Sequence, residues 1–317
     1  MDTIGEFGSD ALRIGLISNR SASQNQAFGL ERVVSGRNFC NKLWNIARFI
    51  ESKVDDDTRN HQPEPESLAD HWIVEQLNKT ITKVSKQIET YRFAEAAETV
   101  YHAIWDDVAD WYIESSKLGD NAPLMAWVLD TCLKITHPFA PFVTETIWQT
   151  LPLHDDLLIT SKWPEKLHFD QAKATEFNKL KKLVNEIRFV TSEMPGNDKY
   201  NLLYKGDSLI ADNTDLIKKL AKLADVQPVD TPRGLRLANS GRQAWLDISA
   251  KALADHETNL QNRLAEAEAQ IENLQNRLAN ESYIKKAPAK LVEESKLLLQ
   301  QRLDLRDRLI RELEVIK

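Results

Sequence analysis

Between residues 260 and 313 the apolar side chains recur in a way that leaves few folds open to this chain. Leu260, Leu264, Ala267, Ile271, Leu274 and Leu278 are separated by alternating steps of four and three, which puts them on one helical seam. The pattern lapses over residues 280–288 and resumes with Val292, Leu299, Leu303, Ile310 and Leu313, a stripe widened by Leu298, Leu305 and Leu309. Two apolar helices of similar length around one polar break can bury their seams against each other, so the segment 250–317 reads as an antiparallel coiled-coil hairpin. The break is basic: Lys285, Lys286 and Lys290 surround Tyr283 and Pro288. A solvated turn accounts for them, and so does contact with a nucleic-acid backbone.

The first half of the chain is also helical by period. Long windows at about 30–53, 68–90 and 93–118 keep 3.6-residue apolar spacing, and a fourth begins at Pro123. His137-Pro138 and Ala140-Pro141 interrupt that fourth window. Long helices joined by short loops make a bundle, here assigned to 1–169. Residues 170–249 change character. A helix carrying Phe177, Leu180, Leu183, Val184, Ile187 and Val190 is followed by short strand patterns near 201–204, 226–229, 235–237 and 244–248, with a helix over 215–223. Asn239-Ser240-Gly241 reads as a hairpin turn. The expectation is a mainly α protein in three parts: bundle, small α+β module, coiled-coil arm.

One helix stands out chemically. Over residues 36–50 (GRNFCNKLWNIARFI), Phe39, Leu43, Ile46 and Ile50 form an apolar stripe. On the other side Arg37, Asn41, Trp44, Asn45 and Arg48 converge within about 100°, at 100° of turn per residue. Guanidinium groups bind phosphate or stack, amides read base edges, and indole stacks on unpaired bases, so this face suits RNA. It suits bundle packing equally well, with Trp44 under a neighbouring helix. His137 has no cysteine or carboxylate at metal-ligand spacing and reads as a packed structural histidine.

Composition narrows the classes further. A net charge of −7 and a pI near 5.6 oppose indiscriminate coating of nucleic acid but allow local basic patches. Cys40 and Cys132 are the only cysteines, so neither a zinc ribbon nor a disulfide framework is expected. No apolar run is long enough to span a bilayer and no signal-peptide pattern opens the chain, so a soluble cytoplasmic protein is expected. There is no glycine-rich phosphate loop, GxSxG or HExxH.

Several blocks, in order, resemble the C-terminal portion of valyl-tRNA synthetases: GSDALR at 8–13, the helix at 36–50, LADHWI at 68–73, YRFAEAA at 91–97, IWDDVADWY at 104–112, HPFAPFVTE at 137–145, WP at 163–164 and NESYIKKAP at 280–288. The resemblance implies an anticodon-binding helical bundle, a junction module that orients the arm, and a coiled coil leaning on the outer corner of tRNA-Val. It implies RNA contacts from Arg37, Asn41, Trp44, Asn45 and Arg48, and from Lys285, Lys286 and Lys290. It also implies that ATP and Mg serve only the full enzyme, whose HIGH-type and KMSKS-type signatures are absent here. The catalytic portion would be a partner, and DNA and membranes would not. A free-standing tRNA-binding paralogue, or a coiled-coil interaction protein that never meets RNA, are the other readings.

Overall fold

The computed structural model describes residues 2–17, 29–194, 199–280 and 289–316. The chain divides into two compact units, Met1–Asn178 and Lys179–Lys317. Helices dominate both, as the periodicity predicts, and the mainly α class holds.

In the first unit α1 (Asp2–Phe7) and α2 (Ser9–Ile17) precede α3 (Leu30–Glu51), α4 (Leu68–Glu89) and α5 (Phe93–His102). The helix begun by α5 continues through residues 103–112 with wider, i→i+5 turns and ends in α6 (Ile113–Ser116). The Ile113 amide, for example, donates to the Val108 carbonyl. Side-chain spacing over ten residues does not separate this π-helical winding from α, so the sequence shows only one continuous helix. Then come α7 (Ala122–Thr136), α8 (Pro141–Thr150) and the start of α9 (Gln171–Glu193). The core is filled by Leu43, Ile50, Trp72, Ile73, Leu77, Ile104, Tyr112, Leu124, Leu129 and Leu133.

Local chemistry sets the helix ends. Ser67 and Asp70 form a reciprocal capping box at the start of α4. Asn121 caps α7, accepting from the Leu124 amide. Helix α8 has no cap of its own. Asp10 of α2 supplies one from across the fold, accepting from the Phe142 amide at 3.4 Å and the Val143 amide at 2.6 Å. Three residues on, Arg13 donates to the carbonyls of Pro138 and Phe139, both at 3.2 Å. Thus Asp10 and Arg13 of GSDALR lock onto the proline-broken junction of α7 and α8.

Helices α2 and α3 meet backbone to backbone at two glycines, Gly15 and Gly36. A Cβ at Gly36 would sit 2.5 Å from the Ala11 carbonyl oxygen, closer than a methyl group tolerates.

In the second unit, the rest of α9 packs with a four-stranded sheet of order β2-β1-β4-β3: β1 (Asn201–Tyr204), β2 (Asp225–Pro228), β3 (Leu235–Arg236) and β4 (Ala244–Leu246). Strand β1 runs parallel to β2, with Leu202 opposite Val226, and antiparallel to β4, with Leu202 opposite Leu246. The short helices α10 (Ser208–Ala211) and α11 (Thr214–Leu220) make the β1–β2 crossover. The hairpin turn at 239–241 forms as expected. Glu186 of α9 ties it down, accepting from the Asn239 and Ser240 amides at 2.7 Å each.

The unit ends in α12 (Ala250–Ala279) and α13 (Ala289–Ile316), packed along each other. Leu260, Ala267 and Leu309 are buried between them, with Leu264, Leu305 and Leu313 alongside. Residues early in α12 therefore meet residues late in α13, the antiparallel pairing. The register of α13 differs from the sequence reading in one respect: Leu309 is fully buried and Ile310 faces outward. Ser295 and Leu309 are buried, and Val292, Leu299, Arg302, Leu303, Leu305, Arg306, Glu312 and Leu313 are half-buried. Near its end, the Arg308 guanidinium lies 3.5 Å from the centre of the Phe189 ring of α9.

Gly36→Ala should destabilise the protein by about 1–3 kcal/mol, because the added methyl meets rigid backbone and α2 must move. Chemical denaturation of the variant measures this, and an unchanged midpoint would contradict the close approach of α2 and α3.

Candidate nucleic-acid interface

Helix α3 resolves the ambiguity of its own two faces. Val33, Gly36, Phe39, Leu43, Ile46, Ala47 and Ile50 are buried. Arg37, Asn41, Trp44, Asn45 and Arg48 are all exposed, Trp44 to 38%. The core packs against the opposite side of the helix. Two guanidinium groups, two amides and an indole therefore share one accessible stretch of a rigid helix, a set able to bind phosphate, read base edges and stack. The helix is held firmly behind that face. Lys42 pairs with Asp110 at 3.2 Å and lies 5.1 Å from the centre of the Trp105 ring. Phe39 stacks on Tyr101 at 5.4 Å, and Tyr101 on Trp105 at 5.5 Å. At the N-terminal end the Arg37 guanidinium sits over Phe7, 5.4 Å from its ring centre. The role of Lys42 as a bridge had no signal in the sequence, since its partners lie more than sixty residues away.

Lys285 and Lys286 lie outside the described residues, and Lys290 is the second residue of α13.

Other motif residues serve the fold. His71 Nδ1 accepts from the Asp170 amide at 3.0 Å, and burial lowers its pKa below the ordinary histidine value, with Lys173 adding to the effect. Trp72 donates to Asn178 Oδ1 at 3.1 Å and packs on Phe177. His137 is 2.9 Å from the Thr144 hydroxyl, and burial lowers its pKa too, against the pull of Glu145 and Asp10. Its ring is half-buried. Glu145 accepts from the Leu158 and Ile159 amides. Trp163 donates to Ser85 Oγ at 2.9 Å. Burial pushes the thiols of Cys40 and Cys132 up to about 12, so neither is a nucleophile at neutral pH. Among the described residues no cluster of histidine, cysteine and carboxylate side chains could hold a metal ion. Among them, too, no helix is long and apolar enough to cross a membrane.

Residues 70–199 match the sequence model of the anticodon-binding domain of tRNA ligases. Residues 253–317 match that of the valyl-tRNA synthetase tRNA-binding arm. Among curated relatives, the valine–tRNA ligase of Bacillus subtilis is 32% identical over 93% of this chain, those residues being 37% of its own length. That of Geobacillus stearothermophilus is 31% identical over 97% of the chain and 38% of its own. That of Thermotoga maritima is 30% identical over 99% of the chain and 38% of its own. The chain thus spans well under half the length of the relatives it matches. The first match gives the class, the anticodon-binding domain of a tRNA ligase, over residues 70–199. With the arm at its end, the chain belongs to the valyl-tRNA synthetase family, over that family's C-terminal region. Helix α3 precedes the matched 70–199 segment, so the role of its face rests on its own chemistry.

Because Trp44 is exposed, Trp44→Ala should cost no more than about 1 kcal/mol of stability, the range of a surface change. Trp72→Ala, at 1% exposure, should cost about 3–5 kcal/mol. Paired denaturation curves compare the two, and equal losses would put Trp44 back into the packing.

Proposed function

We propose that this chain is the tRNA-recognition part of a valine–tRNA ligase. It binds tRNA-Val through the exposed face of α3 at the anticodon stem and loop, and through the basic tip of the arm at the outer corner. The observation that carries this is the exposure of Arg37, Asn41, Trp44, Asn45 and Arg48 together, on a helix whose opposite face is fully used by the core. In this reading the bundle (1–169), junction module (170–249) and arm (250–317) are the working parts. Lys285, Lys286 and Lys290 bind phosphates and add little sequence information.

The mechanism is binding that becomes catalysis elsewhere. Holding the anticodon and the corner fixes where the acceptor end can go, and that placement lowers the barrier in a catalytic portion acting as partner. The partner supplies the amino-acid chemistry with ATP and Mg. Among the described residues no group of histidine, cysteine and carboxylate side chains could hold a metal ion. On this reading the protein works in the cytoplasm.

Filter binding of tRNA-Val across a salt series tests the proposal. Arg48→Ala should weaken binding about tenfold or more at unchanged melting temperature, since a hydrogen bond from a charged donor is worth about 1.5–3 kcal/mol. Replacing Lys285, Lys286 and Lys290 with alanine should weaken cognate and non-cognate tRNA alike. It should also flatten the salt dependence by roughly two to three units of log K per log salt. An isolated anticodon stem-loop should bind that triple variant as well as it binds the wild type. Wild-type protein indifferent to tRNA at every salt concentration would instead favour a coiled-coil interaction protein. The chain alone should show no valine-dependent exchange of pyrophosphate into ATP, and exchange by the pure protein would overturn the assignment.

A further inference from the structure

The turn between α4 and α5 holds an aromatic side chain that packing does not explain. The Tyr91 amide donates to the Ile88 carbonyl at 3.0 Å and the Arg92 amide to the Gln87 carbonyl at 2.8 Å, the paired bonds of a Schellman cap. That cap needs a left-handed residue, and Tyr91 occupies it at φ 58°. Glycine fits this conformation without strain, whereas any side chain with a Cβ is disfavoured there. Burial does not offset the strain, because Tyr91 is 82% exposed. Its ring meets Phe93 edge-on at 6.1 Å, and Phe93 is itself 42% exposed. Two aromatic rings therefore stand side by side on the surface.

Four residues before Tyr91, on α4, is an unmet hydrogen-bonding group. Gln87, one turn earlier on α4, is only 4% exposed, yet its Oε1 accepts no hydrogen bond. A buried carbonyl without a donor is costly, and one beside an open groove points to an incoming N–H. Gln87 lines such a groove, of about 470 Å³. Its charges are divided by wall: Lys79 and Lys83 on α4, Glu95, Glu98 and Asp107 on the facing helix. A strand laid along it would keep phosphates on the lysine side and turn base amino groups toward the carboxylates and Gln87.

We propose that the Tyr91–Phe93 turn and the groove lined by Gln87 and Glu95, on either side of it in sequence, form a second RNA site, which stacks an unpaired base on the exposed rings and reads a base amino group through Gln87. The site takes single-stranded RNA with adenine, cytosine or guanine in preference to uracil, which has no exocyclic amino group. The inference rests on the RNA-binding reading above and adds a site away from the α3 face.

The test is fluorescence anisotropy of the full chain with labelled penta-adenylate, penta-cytidylate and penta-uridylate, alongside intact tRNA. Wild-type protein should bind the first two more tightly than the third. Tyr91→Gly should raise the melting temperature, because the left-handed strain is relieved. It should also weaken penta-adenylate by about 5- to 150-fold, the value of one base–aromatic stack. Gain of stability with loss of binding cannot come from misfolding. Gln87→Met should erase the preference for penta-adenylate over penta-uridylate. If Tyr91→Gly gains stability and leaves every RNA affinity unchanged while Arg48→Ala still weakens tRNA, the turn is no RNA site, and a protein partner becomes its occupant. If the wild type binds neither oligonucleotides nor tRNA, the broader reading falls and this one with it.

Discussion

The carboxylate of Asp10 is the contact on which the first unit turns. The prolines at 138 and 141 break the chain between α7 and α8 and leave α8 without a cap of its own. A helix start with unpaired amides is unstable in a core, and here the missing acceptor comes from α2, more than 130 residues earlier. Arg13 closes the same junction from its carbonyl side. Because α2 also lies against α3 through Gly15 and Gly36, the anchoring of α8 and the placement of α3 are a single arrangement. The accessible face of α3 is thus presented by a helix that cannot rotate without uncapping another.

Much of this was legible in the sequence, for definite reasons. The alternation of apolar residues predicts the bundle helices to within a few residues, because each has one face in the core. The four strands and the hairpin turn were legible from short runs bounded by turn residues. Which side of α3 faces solvent was not, since a face of arginine, asparagine and tryptophan can serve either purpose. The roles of Asp10, Arg13 and Lys42 depend on partners distant in sequence, and no local pattern announces them.

The arm shows where periodicity misleads. Helix α13 is so rich in leucine that two stripes, one through Leu303 and Ile310 and another through Leu305 and Leu309, keep similar spacing. Packing against Leu260 and Ala267 selects Leu309. The face it completes is mixed, with Ser295 buried and Arg302 and Arg306 half-buried beside Leu299, Leu303 and Leu305. Tyr91 is a converse case: nothing in the local pattern marks a tyrosine at the left-handed position of a helix cap.

The mixed seam gives the arm a fixed measure. Ser295, Arg302 and Leu309 lie seven residues apart and so take equivalent heptad positions. If α13 slid by one heptad along α12, Arg302 would enter the place beside Leu260 and Ala267 that Leu309 now fills. A lone charge in an apolar site is strongly unfavourable, so the slipped pairing is suppressed. Each such slip would move the far end of the hairpin by roughly 10 Å, at 1.5 Å per residue. An all-leucine seam would tolerate that slip; here Arg302 acts as a stop against it.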